Sequence, residues 1–223
     1  MKNRLFSIVS ILVLSATLAT AQDQPKISFA VLGGLNLQNL TGKAYNGDKL
    51  NNDLLVGYHI GFNAQIPIVS KFYFQPGLLY STKGAKTKSE SSTSTTMINY
   101  LEMPLNMVYK TSLGNGFIIV GCGPYVAYGI GGRVKTTGDS PTVENKIVFK
   151  NVIGLTDPLD VPFYKAFDAG ASVFVGYEMA NGIFCQLNTQ LGMLKINSEY
   201  SEFPDDKTSV KNTGFGLSTG YRF

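Results

Sequence analysis

The chain has 223 residues, of which 15% are charged and 12% aromatic, with 24 glycines and a net charge of +4. A soluble domain is nearer one-quarter charged, and after Leu18 no run approaches the ~20 apolar residues that a spanning helix requires. The small positive excess is divided between the first residues and lysines in expected loops, so it implies no nucleic-acid partner.

Residues 1–21 read as a cleaved signal peptide. Lys2 and Arg4 precede an apolar run over 5–18, and Ala19-Thr20-Ala21 supplies a small-x-small cleavage pattern. No cysteine follows that site, which argues against a lipoprotein. Residues 22–223 then form one domain outside the cytoplasm.

Period two dominates that domain. Leu54, Val56, Tyr58, Ile60, Phe62, Ala64 and Ile66 alternate with Gly57, His59, Gly61, Asn63 and Gln65. Successive strand side chains project to opposite faces, so this is a strand with one apolar and one polar face. The same alternation recurs over 100–109, 167–179, from 183, and at the C-terminus. It is weaker in segments starting at Ile27, Phe72 and Phe117. That predicts eight strands, most of them long enough to cross a bilayer when tilted.

The connections alternate. Short turns are expected at 67–71, 111–115 and 180–182, the last with an Asn-Gly hairpin signal. Longer polar segments are expected at 41–53, 85–96, 134–165 and 196–210. Outer-membrane barrels place short turns in the periplasm and long loops outside. The expected fold is therefore all-β, an eight-stranded antiparallel up-and-down transmembrane β-barrel in the outer membrane of a Gram-negative cell, with periplasmic termini. Closure satisfies every backbone polar group that hydrocarbon would otherwise strand.

With the strands run alternately up and down, Phe29, Phe72, Phe74, Tyr109, Tyr177, Tyr221 and Phe223 fall at the periplasmic level, pointing outward. Tyr58, Tyr80, Tyr128 and Phe167 fall near the opposite rim. Two such girdles are expected at the membrane interfaces. Cys122 and Cys185 fall on non-adjacent strands, both outward, as lipid-facing thiols.

Parity sends His59, Asn63, Gln65, Glu102, Arg133, Asp168, Glu178, Gln186, Asn188, Gln190 and Arg222 inward. Arg133 with Asp168, and Glu178 with Arg222, are expected pairs, because buried charges need partners. The interior of an eight-stranded barrel is just wide enough for side chains to fill, so these residues are expected to plug it. A catalytic His59 would need a nucleophile and an orienting acid within reach, and no short-range pattern supplies them. Gly129-Ile130-Gly131-Gly132 does not open a helix within a βαβ unit, so it is no phosphate loop. Asp48, Asn51, Asn52 and Asp53 lack EF-hand spacing. No catalytic residue, cofactor or metal is expected. The long segment 134–165 carries an apolar middle. It could extend the fifth strand as a hairpin, fold over the mouth, or dock a protein partner.

Four motifs carry a resemblance: Tyr100-Leu101-Glu102-Met103-Pro104-Leu105, Gly121-Cys122-Gly123-Pro124-Tyr125, Gly176-Tyr177-Glu178 with Asn181-Gly182, and the terminal Gly220-Tyr221-Arg222-Phe223. Through them the chain resembles the small outer-membrane barrels of Bacteroidota, the PorT-like group called "porin family". The resemblance implies an eight-stranded barrel and a C-terminal Phe223 read by the outer-membrane insertion machinery. It supplies no catalytic residue. The expected role is non-enzymatic, structural or surface-binding, with outer-membrane lipid as surroundings. The alternatives are an accessory of a secretion apparatus, a lipid-modifying enzyme centred on His59, and a lipocalin-like ligand binder.

Overall fold

The computed structural model describes residues 26–138, 141–158, 160–201 and 206–223. The expected signal peptide lies outside them. Eight long strands form the wall: β1 (Ser28–Lys43), β2 (Leu55–Val69), β3 (Phe72–Lys88), β4 (Ser92–Leu113), β5 (Gly116–Gly138), β10 (Phe167–Met179), β11 (Ile183–Gly192) and β13 (Ser209–Arg222). Each pairs antiparallel with its neighbours. The ring closes because β10 pairs with β5, and β13 with β1 in register from Ala30↔Arg222 to Lys43↔Ser209. It is the eight-stranded antiparallel barrel that the periodicity predicts.

At one end the strands are joined by short turns at 70–71, 114–115 and 180–182. Gly182 adopts a φ of 90° there, which only glycine enters without strain. The other end is more elaborate than expected. The segment 85–96 is not a loop: β3 and β4 run on past the barrel, pairing as far as Lys88↔Thr93 and leaving only 89–91 as a turn. β5 extends with them, and β6 (Val143–Lys146) folds back onto it. A four-stranded blade thus projects beyond the barrel mouth.

The described residues of the long connection form two further pairings. β7 (Val148–Phe149) pairs in parallel with β9 (Phe163–Tyr164), and β8 (Val152–Ile153) with β12 (Glu199–Tyr200) from the last long connection. Segment 134–165 therefore both extends β5 as a hairpin and folds over the mouth. Ile147 and Ile196 drop onto Leu40, Ala85, Ile98, Tyr100, Tyr125 and Ala127, with Phe149 and Tyr164 packed alongside. This apolar lid is the largest core of the described residues.

The outward surface is apolar: Val56, Ile60, Leu101, Val173, Leu187 and Leu217 are exposed. Cys122 and Cys185 are free and exposed among them. The aromatics Phe29, Tyr58, Phe72, Tyr128, Phe167, Tyr221 and Phe223 are exposed, and Phe74, Tyr80, Tyr109 and Tyr177 half-exposed. Phe72 packs on Tyr109, Tyr221 on Phe223, and Tyr58 on Tyr80, with ring centroids 5.1, 5.0 and 5.8 Å apart. Among the described residues no helix is long and apolar enough to cross a membrane, which has no bearing on a chain that crosses with strands.

Candidate functional site: the barrel interior and its outer cap

Even positions of β1 and β13 and odd positions of β2 and β3 point inward, and they line the lumen in layers. Beneath the lid, Lys83 lies 2.8 Å from Glu102 and 3.4 Å from Asp168, with all three side chains completely buried. Its ammonium sits 4.1 Å from the Tyr125 ring centroid and 5.5 Å from that of Tyr100. The Tyr125 hydroxyl and the Asn212 amide donate to Asp168 Oδ2 at 3.3 and 2.9 Å. The Gln190 amide donates to Glu102 Oε1.

The middle layer is uncharged. His59 donates from Nδ1 to Asn36 Oδ1 at 2.7 Å and accepts at Nε2 from the Ser218 hydroxyl at 2.8 Å. This assigns one neutral tautomer that satisfies both ring nitrogens. The Asn188 amide donates to Ser218 Oγ at 2.8 Å. Gly34 clears the space: a Cβ there would stand 2.7 Å from the His59 ring.

At the short-turn end, Glu178 takes Arg222 Nε at 3.0 Å and Lys110 at 2.6 Å. Arg222 also donates to Asn63 Oδ1 at 3.3 Å, and Gln65 to Gln75 at 2.8 Å. The upper layer thus has two carboxylates to one cation and the lower layer two cations to one carboxylate. Their formal charges cancel along the barrel.

Of the inward set read from the sequence, His59, Asn63, Gln65, Glu102, Asp168, Glu178, Gln186 and Arg222 are buried and Asn188 and Gln190 partly so. Arg133 is a correction. It is exposed and pairs at 3.3 Å with Glu144 on the blade, not with Asp168. The cause is a β-bulge: Tyr100 faces Gly129 while Asn99 faces Gly131, so Ile130 is an extra residue. An inserted residue reverses the parity of everything after it. Val134 therefore points inward, against the lid.

Lys83 escapes a reading of the sequence because lysines at 86 and 88 make its neighbourhood look like loop. Odd parity along Gln75, Gly77, Leu79 and Ser81 is the available signal. Asn36 and Ser81 lie on strands whose alternation is weaker, whereas Asn106, Ser172, Asn212 and Ser218 follow the inward parity of β4, β10 and β13. In the 44–54 connection, Asn52 donates to Leu40 O at 2.7 Å and Asp53 pairs with Lys88 at 2.7 Å. These side chains hold the loop to the wall. Among the described residues no group of His, Cys, Asp and Glu is arranged to hold a metal.

Asn36, His59 and Ser218 stand in the order of a catalytic triad, and His59 could take the hydroxyl proton. His59 and Ser218, but not Asn36, line a cavity of about 60 Å³ that Glu102, Asn106 and Phe174 also line. That is room for a water or two, and no acyl group fits it.

A closed antiparallel barrel with an apolar outer belt, aromatic rims and a polar packed lumen defines a membrane-embedded barrel of the outer-membrane type. A family model described as outer membrane protein beta-barrel domain matches residues 20–198. The chain belongs to that family. No curated protein matches it. Among solved structures it is similar to the outer membrane protein OprG of Pseudomonas aeruginosa, at 12% identity over 88% of this chain and 95% of that one, with a TM-score of 0.46. It is also similar to neisserial surface protein A (12% identity, 87% and 95% covered, TM-score 0.42) and to Ail, the attachment invasion locus protein of Yersinia pestis (11%, 88% and 98%, TM-score 0.39).

Proposed function

We propose that the protein is a non-enzymatic wall barrel of the Gram-negative outer membrane, plugged through its lumen, with its termini in the periplasm and its specific role on the outer cap. One observation supports this reading: the buried inward charges are paired side chain to side chain beneath apolar Ile147 and Ile196, whereas the described part of the cap presents apolar residues outward. Leu155 is 84% exposed and Val152 49%. The cap is stapled between its two segments by Lys165–Glu199 at 2.6 Å and by the Ser198 hydroxyl donating to Lys150 O at 2.5 Å. A long connection that pairs back on the barrel and exposes apolar residues is a binding surface more readily than a spacer. Phe223, exposed at the end of β13, is the residue the insertion machinery would read.

Leu155→Cys on intact cells tests the arrangement. Labelling by a membrane-impermeant maleimide is expected, and the protein should fractionate with the outer membrane. Recovery in the soluble periplasm would remove the membrane reading altogether. An accessory role in a secretion apparatus, as in the PorT-like group, is a second reading supported by the same apolar cap residues. Co-purification with and without residues 141–165, from a barrel still folded, separates the two.

A further inference from the structure

The outward face of the blade carries a cluster of cations that the lumen and the cap do not use. On β3 these are Lys86 and Lys88, on β5 Arg133 and Lys135, and on β6 Lys146. Cross-strand register puts them together: Lys86, Thr95, Lys135 and Glu144 form one row, and Met97, Arg133 and Lys146 the row beneath. Ala85 and Val134, alternating with them, pack into the lid, so the cations face away from the barrel axis. They are on the same side of the wall as the lipid-facing belt.

Their height is fixed by the strands. The rim row Tyr80, Leu101 and Tyr128 is continuous across β3, β4 and β5. The row of Met97 and Arg133 lies four residues further along β4, roughly 13 Å at ~3.3 Å per residue. Tilted by about 40°, that is some 10 Å above the girdle. This is where lipid headgroups meet a barrel wall, and long basic side chains can bend down toward them.

Five cations face three carboxylates here, namely Asp53, Glu144 and Glu90 at the hairpin tip. Lys88 pairs with Asp53 at 2.7 Å and Arg133 with Glu144 at 3.3 Å. Among the described residues no carboxylate comes within ion-pair distance of Lys86, Lys135 or Lys146. Arg133 also stands directly opposite Lys146 across the antiparallel pair. Like charges so placed destabilise a sheet, and an anion between them relieves the repulsion.

We infer that this face is a binding site for a phosphate-bearing lipid of the outer leaflet. Arg133, Lys135 and Lys146 take the phosphate, Lys86 takes a second anionic group or sugar hydroxyls, and acyl chains lie down along Tyr80, Leu101 and Tyr128. Arginine supplies the bidentate donor pair that phosphate oxygens favour. The inference rests on the proposed membrane placement, with the blade outside.

The test uses the mature chain reconstituted into phosphatidylcholine vesicles doped with monophosphoryl lipid A or with the same lipid dephosphorylated. Lipid retained by the purified barrel is counted by native mass spectrometry. Each cation near an anionic surface contributes about a fivefold preference. Wild type is therefore expected to retain the phosphorylated lipid at least tenfold over its dephosphorylated form. K86Q/R133Q/K135Q/K146Q should lose that preference, while K26Q/K71Q at the opposite end keeps it. K135Q/K146Q, confined to exposed side chains, should give an intermediate value with unchanged circular dichroism.

Equal retention of both lipids by wild type, or an unchanged preference in the quadruple variant, would overturn the site. So would equally tight, membrane-independent binding of inorganic polyphosphate or a sulfated oligosaccharide, which would assign the face to a soluble polyanion. A chain that does not insert into vesicles at all removes the membrane placement instead, and is told apart by flotation.

Discussion

The ammonium of Lys83 lies 2.8 Å from Glu102 Oε2, with both side chains at 0% exposure. Asp168 shares the same cation at 3.4 Å. Removing one partner from such a cluster strands the others in a low-dielectric interior, which costs about 3–5 kcal/mol. Lys83→Met should therefore lower the urea midpoint of the folded barrel in detergent sharply. K83M/E102Q/D168N should recover most of the loss, because no uncompensated charge remains. A single variant as stable as wild type would mean that Lys83 is not held between the carboxylates.

His59 and Ser218 invite an activity assay, and the geometry predicts a negative result. The hydroxyl sits in a cavity of about 60 Å³, too small for an ester or a phosphonate. Ser218 should stay unlabelled by a fluorophosphonate under conditions that label a reactive serine. His59→Ala should leave membrane-lipid composition unchanged, yet still destabilise the barrel. Asn36 and Ser218 would each lose a buried partner, at about 1–3 kcal/mol apiece. Labelling of Ser218 abolished by His59→Ala would make the lumen an active site.

Strand parity alone locates Glu178 and Arg222, on two strands separated by a third, and they meet at 3.0 Å. Alternation is a strong signal when one face is apolar for a dozen residues, as on β2 and β10. It fails at Arg133 because a bulge is a one-residue event with no compositional mark beyond glycines, and Gly131-Gly132 fit a bend or a loop equally well. It fails at Lys83 because lysine clusters ordinarily mark solvent. The β3–β4 half of the blade is invisible for a related reason: serines and threonines such as Ser92, Thr93 and Thr95 resemble a flexible linker in composition. Only their pairing partners distinguish the two.

The lumen should carry no steady current. Its charged layers are paired side chain to side chain, and Ile147 and Ile196 pack on Tyr100 and Tyr125 above them. In a planar bilayer the purified barrel is expected to show no stable open level, and deletion of residues 141–165 should not create one, because the Lys83 and Arg222 layers stay in place. A step-like conductance in either protein would show that the packed interior is mobile enough to pass ions.

The cap is the part whose order should depend on pH. Hydrogen bonding from Lys150, and secondarily from the Gly154 N–H, holds the Asp157 carboxyl below its ordinary range. Lys165 does the same to Glu199, first by its hydrogen bond and then by its charge. Both carboxylates titrate lower in the folded cap than in an unfolded one. Their stabilisation is therefore complete above the usual carboxylate pKa of about 4 and disappears as pH falls through the lowered values. A spin label at Leu155→Cys should report constant mobility from roughly pH 8 to 5 and a rise at more acidic pH. The circular dichroism of the barrel should not change over that range. K150A should loosen the label already at neutral pH, since the turn at Gly154–Asp157 then loses its cation. Mobility that instead rises as the solution is made more alkaline would show that these ion pairs do not hold the cap.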